Sequence, residues 1–386
     1  MKNILFIILF FITYTFVGQR IVTKRYESEE IGGFRDIKIH LPKNYDKDSV
    51  SNFPITVILN SEKLFDLYTG NAHFFSLNDS APEQITIGID MKKTLFLDTG
   101  FTKESGELIS SSKNFYRFIK NELIPYLEAN YKTSPFITIV GEGISGNFIT
   151  HFLKELTPIF NAYVCINPTF SIDINTQINS YSLKRYEDLD NTFYFYLCKS
   201  PFNTPEKNTR INQLNTYFES LKVKNLHYAF DHFKDSPSNI SIISEVFPRA
   251  LTKIFEIYAG ITKQEFDKNI KHLSPSGAIA YLENKYLDIE YLFGVNLGIR
   301  KNDIIAIEGI VLDKENGDYL KDFGKMILNL HPASPLGNYY LGRYYESGKL
   351  YKKALTQYRI GYGKINPSNP NSDKYYENIE RLSGKN

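Results

Sequence analysis

The chain has 386 residues, 42% hydrophobic and 23% charged, the composition of a folded globular protein with room for one domain of ordinary size and a smaller second one. Lys and Arg number 45 against 43 Asp and Glu, so a net charge of +2 gives no basic face of the kind nucleic-acid binding needs. The 28 Tyr and 29 Phe, with Trp absent, supply large buried area for a substantial core.

Residues 1–18 read as a cleavable signal peptide. Lys2 gives the positive start, Ile4 to Phe11 is an unbroken apolar run, and Thr13 to Gly18 leads to a small residue before Gln19-Arg20. A membrane anchor needs about 20 apolar residues, and Arg20 arrives too early for one. No cysteine near the junction offers a lipid anchor, and no other stretch could span a bilayer. The expectation is export, to the periplasm or the medium, with no membrane span after cleavage.

Arg35 to Pro42 alternates apolar and polar residues as a half-exposed strand does, and a polar loop runs from Pro42 to Asn52. Phe53–Asn60 and Ile85–Asp90 read as buried strands, and Asn114–Tyr131 carries apolar residues at helical spacing. A strand at Phe136–Val140, a glycine-rich turn and a helix at Asn147–Leu156 follow. Then come a strand at Ala162–Ile166, a long polar loop with a helix, a strand at Thr192–Cys198, a helix at Arg210–Leu221, a strand at Leu226–His232 and a helix from Ile242 to Tyr258. Strands apolar on both faces, alternating with helices, define an α/β protein with a mostly parallel sheet flanked by helices. From Ile261 only helical patterns remain, which places an α/β domain at 27–258 and an all-helical domain at 275–380. In that tail Tyr339-Tyr340-Leu341-Gly342, Tyr345, Ala354, Tyr358 and Gly361 follow the tetratricopeptide spacing, small residues where paired helices touch and large ones between. One repeat cannot bury its own face, so the tail packs on the sheet domain or takes a protein partner.

Cys165 and Cys198 each lie in an apolar strand-like run and read as buried free thiols. The seven His residues show no metal-binding spacing, and neither metal nor cofactor is expected. Asp231, His232 and Asp235 form a small polar cluster that a solvated loop explains.

The turn Gly141-Glu142-Gly143-Ile144-Ser145-Gly146 carries the functional question. Its letters match the dinucleotide pattern G-x-G-x-x-G. That motif belongs on the first strand of a βαβ unit, whereas at least three strands precede it here. The acid that would bind a ribose about 20 residues on is absent, with Asn167-Pro168 at the end of the next strand. The other strand–turn–helix of this kind is the nucleophile elbow, G-x-S-x-G.

Several segments carry a family resemblance. "GGFRDIKIHLPKNY" and "FPITVILNSEKLF" look like an opening strand ending in Leu-Pro-x-x-Tyr and the strand that feeds an oxyanion loop. "SSKNFYRFIKNELIPYLEANYKTSPFITIVGEG" looks like the helix leading into the elbow strand, and "FNAYVCINPTFSID" like the strand and turn after it. Over residues 27 to 258 the chain resembles the esterase branch of the α/β hydrolases that includes feruloyl-esterase-like and siderophore-esterase-like proteins. Some members carry a tetratricopeptide-like tail.

The resemblance places the elbow and pocket at Gly141, Gly143, Ile144, Ser145, Gly146 and Asn60, with oxyanion N–H groups at Ile144 and near Asn60-Ser61. It puts Gly143 where the nucleophile belongs. The acid position after Cys198 reads Lys199-Ser200-Pro201-Phe202, with Glu206 the nearest carboxylate, and the histidine loop Lys234–Asn239 holds no histidine, with His232 a few residues early. Ser145, Glu206 and His232 are thus the only candidates for catalysis. Nucleophile, base and acid each activate the next, so two readings remain: a binding protein on a hydrolase scaffold, taking an ester-like small molecule or a protein partner, or a carboxylic-ester hydrolase with a rearranged site.

Overall fold

A computed structural model describes residues 20–384 except 48–50, 296, 313–316, 367–368 and 370–371. The expected signal peptide at 1–18 lies outside the described residues. No helix among the described residues is long and apolar enough to cross a membrane.

The strands are β1 (Arg20–Ser28), β2 (Gly33–Leu41), β3 (Phe53–Ile58), β4 (Ile85–Ile89), β5 (Thr133–Glu142), β6 (Ala162–Ile166), β7 (Phe193–Lys199) and β8 (Leu226–His232). They form one sheet in the order β1-β2-β4-β3-β5-β6-β7-β8. β2 is antiparallel to both β1 and β4, and every pairing from β4 to β8 is parallel. The helices of this part are α1 (Ser61–Leu77), α2 (Leu95–Thr99), α3 (Ser110–Arg117), α4 (Ile124–Asn130), α5 (Ile144–Thr150), α6 (Ile174–Ser180), α7 (Pro205–Ser220) and α8 (Asn239–Ile254).

The side-chain period of two explains the unbroken apolar strands. Along β6 and β7, Tyr163, Cys165, Phe193, Phe195 and Leu197 enter one core with α3–α5 and α7. Their neighbours Val164, Ile166, Tyr194, Tyr196 and Cys198 enter a second core with α1 and α8. Cys165 and Cys198 are therefore free thiols buried on opposite faces.

Two elements escape the sequence pattern. β1 carries Ile21, Val22 and Tyr26 among polar residues at the sheet edge, and α1 buries Leu64, Phe65, Tyr68 and Ala72 while leaving Phe74 and Leu77 exposed. The helix expected over 114–131 is interrupted by a π-turn, Phe118–Leu123, immediately before Pro125. Proline offers no N–H and crowds the carbonyl four residues back, and the wider turn absorbs both effects.

Beyond α8 come α9 (Lys263–Glu265), α10 (Pro275–Phe293), α11 (Lys301–Leu312), α12 (Leu320–Leu330), α13 (Pro335–Ser347), α14 (Tyr351–Gly363) and α15 (Ser372–Ser383). α10 belongs to two cores. Its first half places Ala278, Leu282 and Tyr286 among α11 and α12, while Ile289, Leu292 and Phe293 pack into the core beneath the sheet. Gly294, at φ 67°, ends the helix, and its carbonyl accepts the Asn52 N–H at 3.1 Å. The tail thus packs on the sheet through the second half of α10.

Candidate functional site

β5 ends at Glu142, Gly143 turns the chain at φ 60°, ψ −118°, and α5 starts at Ile144. The glycines have different reasons to be there. A Cβ on Gly141 would lie 2.5 Å from the Ser145 carbonyl oxygen, and one on Gly146 would lie 2.9 Å from Pro168 Cβ, so close approach demands both. A Cβ on Gly143 would meet nothing within 4 Å. Its space is open, and only its positive φ favours glycine. The Gly143 N–H donates to the Ile166 carbonyl (3.0 Å), and its carbonyl accepts from Gly146 (3.2 Å) and Thr169 (2.8 Å). The apex is held in an elbow conformation with no side chain on it.

β3 lies beside β5, and the Leu59 N–H donates to the Val140 carbonyl at 3.0 Å. Asn60 follows in the left-handed region, at φ 58°, and α1 begins at Ser61. The first N–H groups of a helix have no carbonyl one turn earlier to bond. Ser61 and Ile144 head two such helices on neighbouring strands, and backbone donors there depend on no particular side chain. The buried Asn60 Oδ1, Ser61 Oγ and both amide atoms of Asn147 make no hydrogen bond among the described residues.

The three candidate side chains are not joined. Ser145 is fully buried in the second position of α5. Its Oγ donates to the Glu142 carbonyl and accepts the Glu142 N–H, both at 2.9 Å, so it closes the turn on itself. Glu206 is exposed in the first turn of α7, its carboxyl held below the usual range by its own backbone N–H and by Thr204. His232 is exposed at the end of β8, opposite Lys199. Slight burial, then Lys199 and Lys234, lower its pKa. The adjacent Asp231 points to the other face, accepting from Tyr196 Oη at 2.5 Å and pairing with Arg249 at 3.5 Å. No hydrogen bond among the described residues links Ser145, Glu206 and His232.

A different pair spans the turns where acid and histidine were expected. Ser200, fully buried after β7, donates from Oγ to Asn239 Oδ1 at the start of α8 (2.7 Å). The same Oγ accepts the Phe202 N–H at 3.1 Å. Asn167, at φ 42° after β6, accepts through Oδ1 from the Ser200 N–H (3.2 Å) and from Asn203 Nδ2 (2.6 Å). In the sequence Ser200 and Asn239 stand only as substituents in the turns expected to hold acid and histidine. Hydroxyl and amide groups hold the loops in place, but none titrates near neutral pH.

His151, the most buried imidazole near the elbow, is also committed. Gln177 Nε2 lies 3.0 Å from its Nε2, the Gly106 carbonyl accepts a hydrogen bond from the ring, and Tyr181 Oη stands 3.5 Å from Nδ1. It lines a cavity of about 500 Å³ bordered by Lys113, Lys154, Glu107 and Asp173. Burial, and then Lys154, push its pKa down to about 3. The folded state keeps this ring neutral while the unfolded chain binds a proton below pH 6.5. Its contribution is therefore complete above that pH and is lost as pH falls toward 3, by on the order of 4 kcal/mol. Unfolding titrations between pH 7 and 4 should show this slope, and His151→Gln should flatten it.

Residues 28–149 match the sequence model of the family described as "Putative esterase". No curated protein matches the chain. An uncharacterised protein from Capnocytophaga ochracea superposes with a TM-score of 0.79 at 23% identity, over 95% of this chain and 100% of that one. An IroE-like serine hydrolase from Shewanella oneidensis gives a TM-score of 0.56 at 17% identity, over 81% of this chain and 98% of the other. The BES protein from Bacillus cereus gives 0.51 at 16%, over 62% and 95%. The chain thus has an α/β-hydrolase-like fold of the esterase type, followed by an all-helical region. Residues 28–149 carry that esterase-family sequence pattern through the elbow itself, as the resemblance implied.

Proposed function

We propose that this is an exported α/β-hydrolase-fold protein that does not hydrolyse esters and acts by binding, either an ester-like small molecule at the elbow or a protein partner through its helical tail. The observation that carries this reading is the empty apex at Gly143 together with the Ser200–Asn239 pair in the two turns that would supply acid and base. A serine hydrolase works because the base takes the nucleophile's proton and the acid orients the base; here no group at those positions can accept a proton at neutral pH. The helix starts at Ser61 and Ile144 keep the backbone donors that would meet a carbonyl oxygen.

The tail supports the partner-binding half. α13 and α14 pack so closely at Gly342 that a Cβ there would overlap the Tyr358 ring, and Ala354 is fully buried. This close pairing supports reading α13 and α14 as a tetratricopeptide-like repeat, with α15 covering its end through Arg381 and Glu346.

Purified protein should neither turn over short-chain aryl esters nor take up a fluorophosphonate probe. Labelling that disappears in Ser145→Ala would overturn the proposal in favour of a rearranged hydrolase. Gly143→Ser should fold, losing about 1–3 kcal/mol to the strained backbone, and should remain unreactive because base and acid are still missing. Esterase activity appearing in Gly143→Ser alone would show that a base is present after all.

A further inference from the structure

The sheet has two ends, and they are protected differently. β1 carries Lys24, Arg25 and Glu27 along its length, the charged pattern that discourages strand pairing. β8 carries less of that guard: Leu226-His227-Tyr228-Ala229-Phe230 contains no Lys, Arg, Pro or Gly, Asp231 is the one carboxylate along the strand, and no strand among the described residues pairs with its outer side. The Phe233 N–H donates to the Lys199 carbonyl, and the Asn225 carbonyl accepts the Phe193 N–H. Odd-numbered backbone groups therefore face β7, and by alternation those of Leu226, Tyr228 and Phe230 point outward.

We propose that β8 pairs antiparallel with β8 of a second copy of this chain, about a two-fold axis at Ala229, making one continuous sheet. The strand is self-complementary in this register. Tyr228 and Phe230 lie opposite Phe230 and Tyr228 of the second copy and exchange their outward backbone hydrogen bonds. Ala229 meets Ala229 at the axis, a position where side chains approach most closely and a small residue fits. His227 then stands opposite Asp231 of the second copy. The two share a face in this chain, His227 stacked on Tyr194 with centroids 5.1 Å apart and Asp231 bonded to Tyr196. Beside Asp231, between β8 and α8, a cavity of about 430 Å³ lined by Tyr196, Ala229, Arg249 and Thr252 opens at this edge, where the incoming imidazole would enter. The parity of the outward groups allows this register, the small residue at the axis favours it, and it sets the His227 imidazole where a ring N–H can donate to the Asp231 carboxylate of the second copy.

Sedimentation equilibrium of the purified protein tests this. A reversible monomer–dimer equilibrium is expected, and His227→Glu, which sets like charges across both symmetric contacts, should weaken it by about tenfold or more. Ala229→Lys should abolish it. The double variant His227→Asp with Asp231→His restores unlike pairs and should recover dimers that either single change loses. Circular dichroism and melting temperature establish that each variant folds. A protein that stays monomeric at high concentration overturns the proposal, as does a dimer indifferent to His227→Glu and Ala229→Lys, which would belong to another surface.

Discussion

Phe293→Ala is expected to destabilise the protein by about 3–5 kcal/mol, the range for removing a fully buried aromatic ring. Phe293 closes α10 with no exposed surface, and its ring sits 5.0 Å from Phe136 on β5 and 5.3 Å from Phe255, with Tyr258 at 6.0 Å. β5 carries the elbow at its other end, so this aromatic group fastens the helical tail to the strand that positions the site. Urea unfolding measures the loss. Phe293→Leu, which keeps most of the volume, should cost less than about 1.5 kcal/mol. A loss below about 1 kcal/mol for the alanine variant would mean that the tail is not docked through this ring.

The second large effect is expected at Asp303, in the first turn of α11 and 1% exposed. Its carboxylate accepts the Ile261 N–H at 2.7 Å and Tyr286 Oη at 2.8 Å, with the Arg300 guanidinium 3.9 Å away. Arg300 in turn donates to the Asp79 carbonyl beyond α1, so one carboxylate organises the junction of both regions. Asp303→Ala strands two buried donors and a cation at once and should destabilise by about 3–5 kcal/mol. Asp303→Asn retains an acceptor and should lose about 1–2 kcal/mol. Limited proteolysis adds a local readout: both alanine variants should open the 297–300 segment to cleavage before the sheet unfolds, because the Arg300 N–H is held by Tyr286 Oη and Ile299 packs in the same core.

How much of this was legible depends on how each element announces itself. β3 to β7 are buried on both faces, so their sequences are rich in apolar residues at successive positions, with an occasional buried threonine among them. β1 lies at an edge and α1 shows a narrow apolar stripe, and neither leaves a pattern strong enough to separate from a loop. The helix expected at 210 starts at Pro205 because Thr204 caps it, its hydroxyl accepting the Lys207 N–H. The Thr-Pro-Glu signature of that start was present in the sequence, and it explains why Glu206 serves a helix end. The helix expected over 147–156 starts at Ile144 and tightens into a 3₁₀ turn at His151–Lys154. The empty apex was legible because a single letter in a known turn decides it. The Ser200–Asn239 bond was not, since it joins loops 39 residues apart whose approach only the folded sheet creates.

The φ of 60° at Gly143 has a consequence for history. An elbow that carries a side chain at this angle holds strain of about 1–3 kcal/mol, and glycine releases it. On the proposed reading, a step back to serine would lower stability and return no activity while the Ser200–Asn239 pair stands. Each return step taken singly is penalised or neutral, so selection for hydrolysis has no first move to reward. On that reading the relaxed apex works as a ratchet.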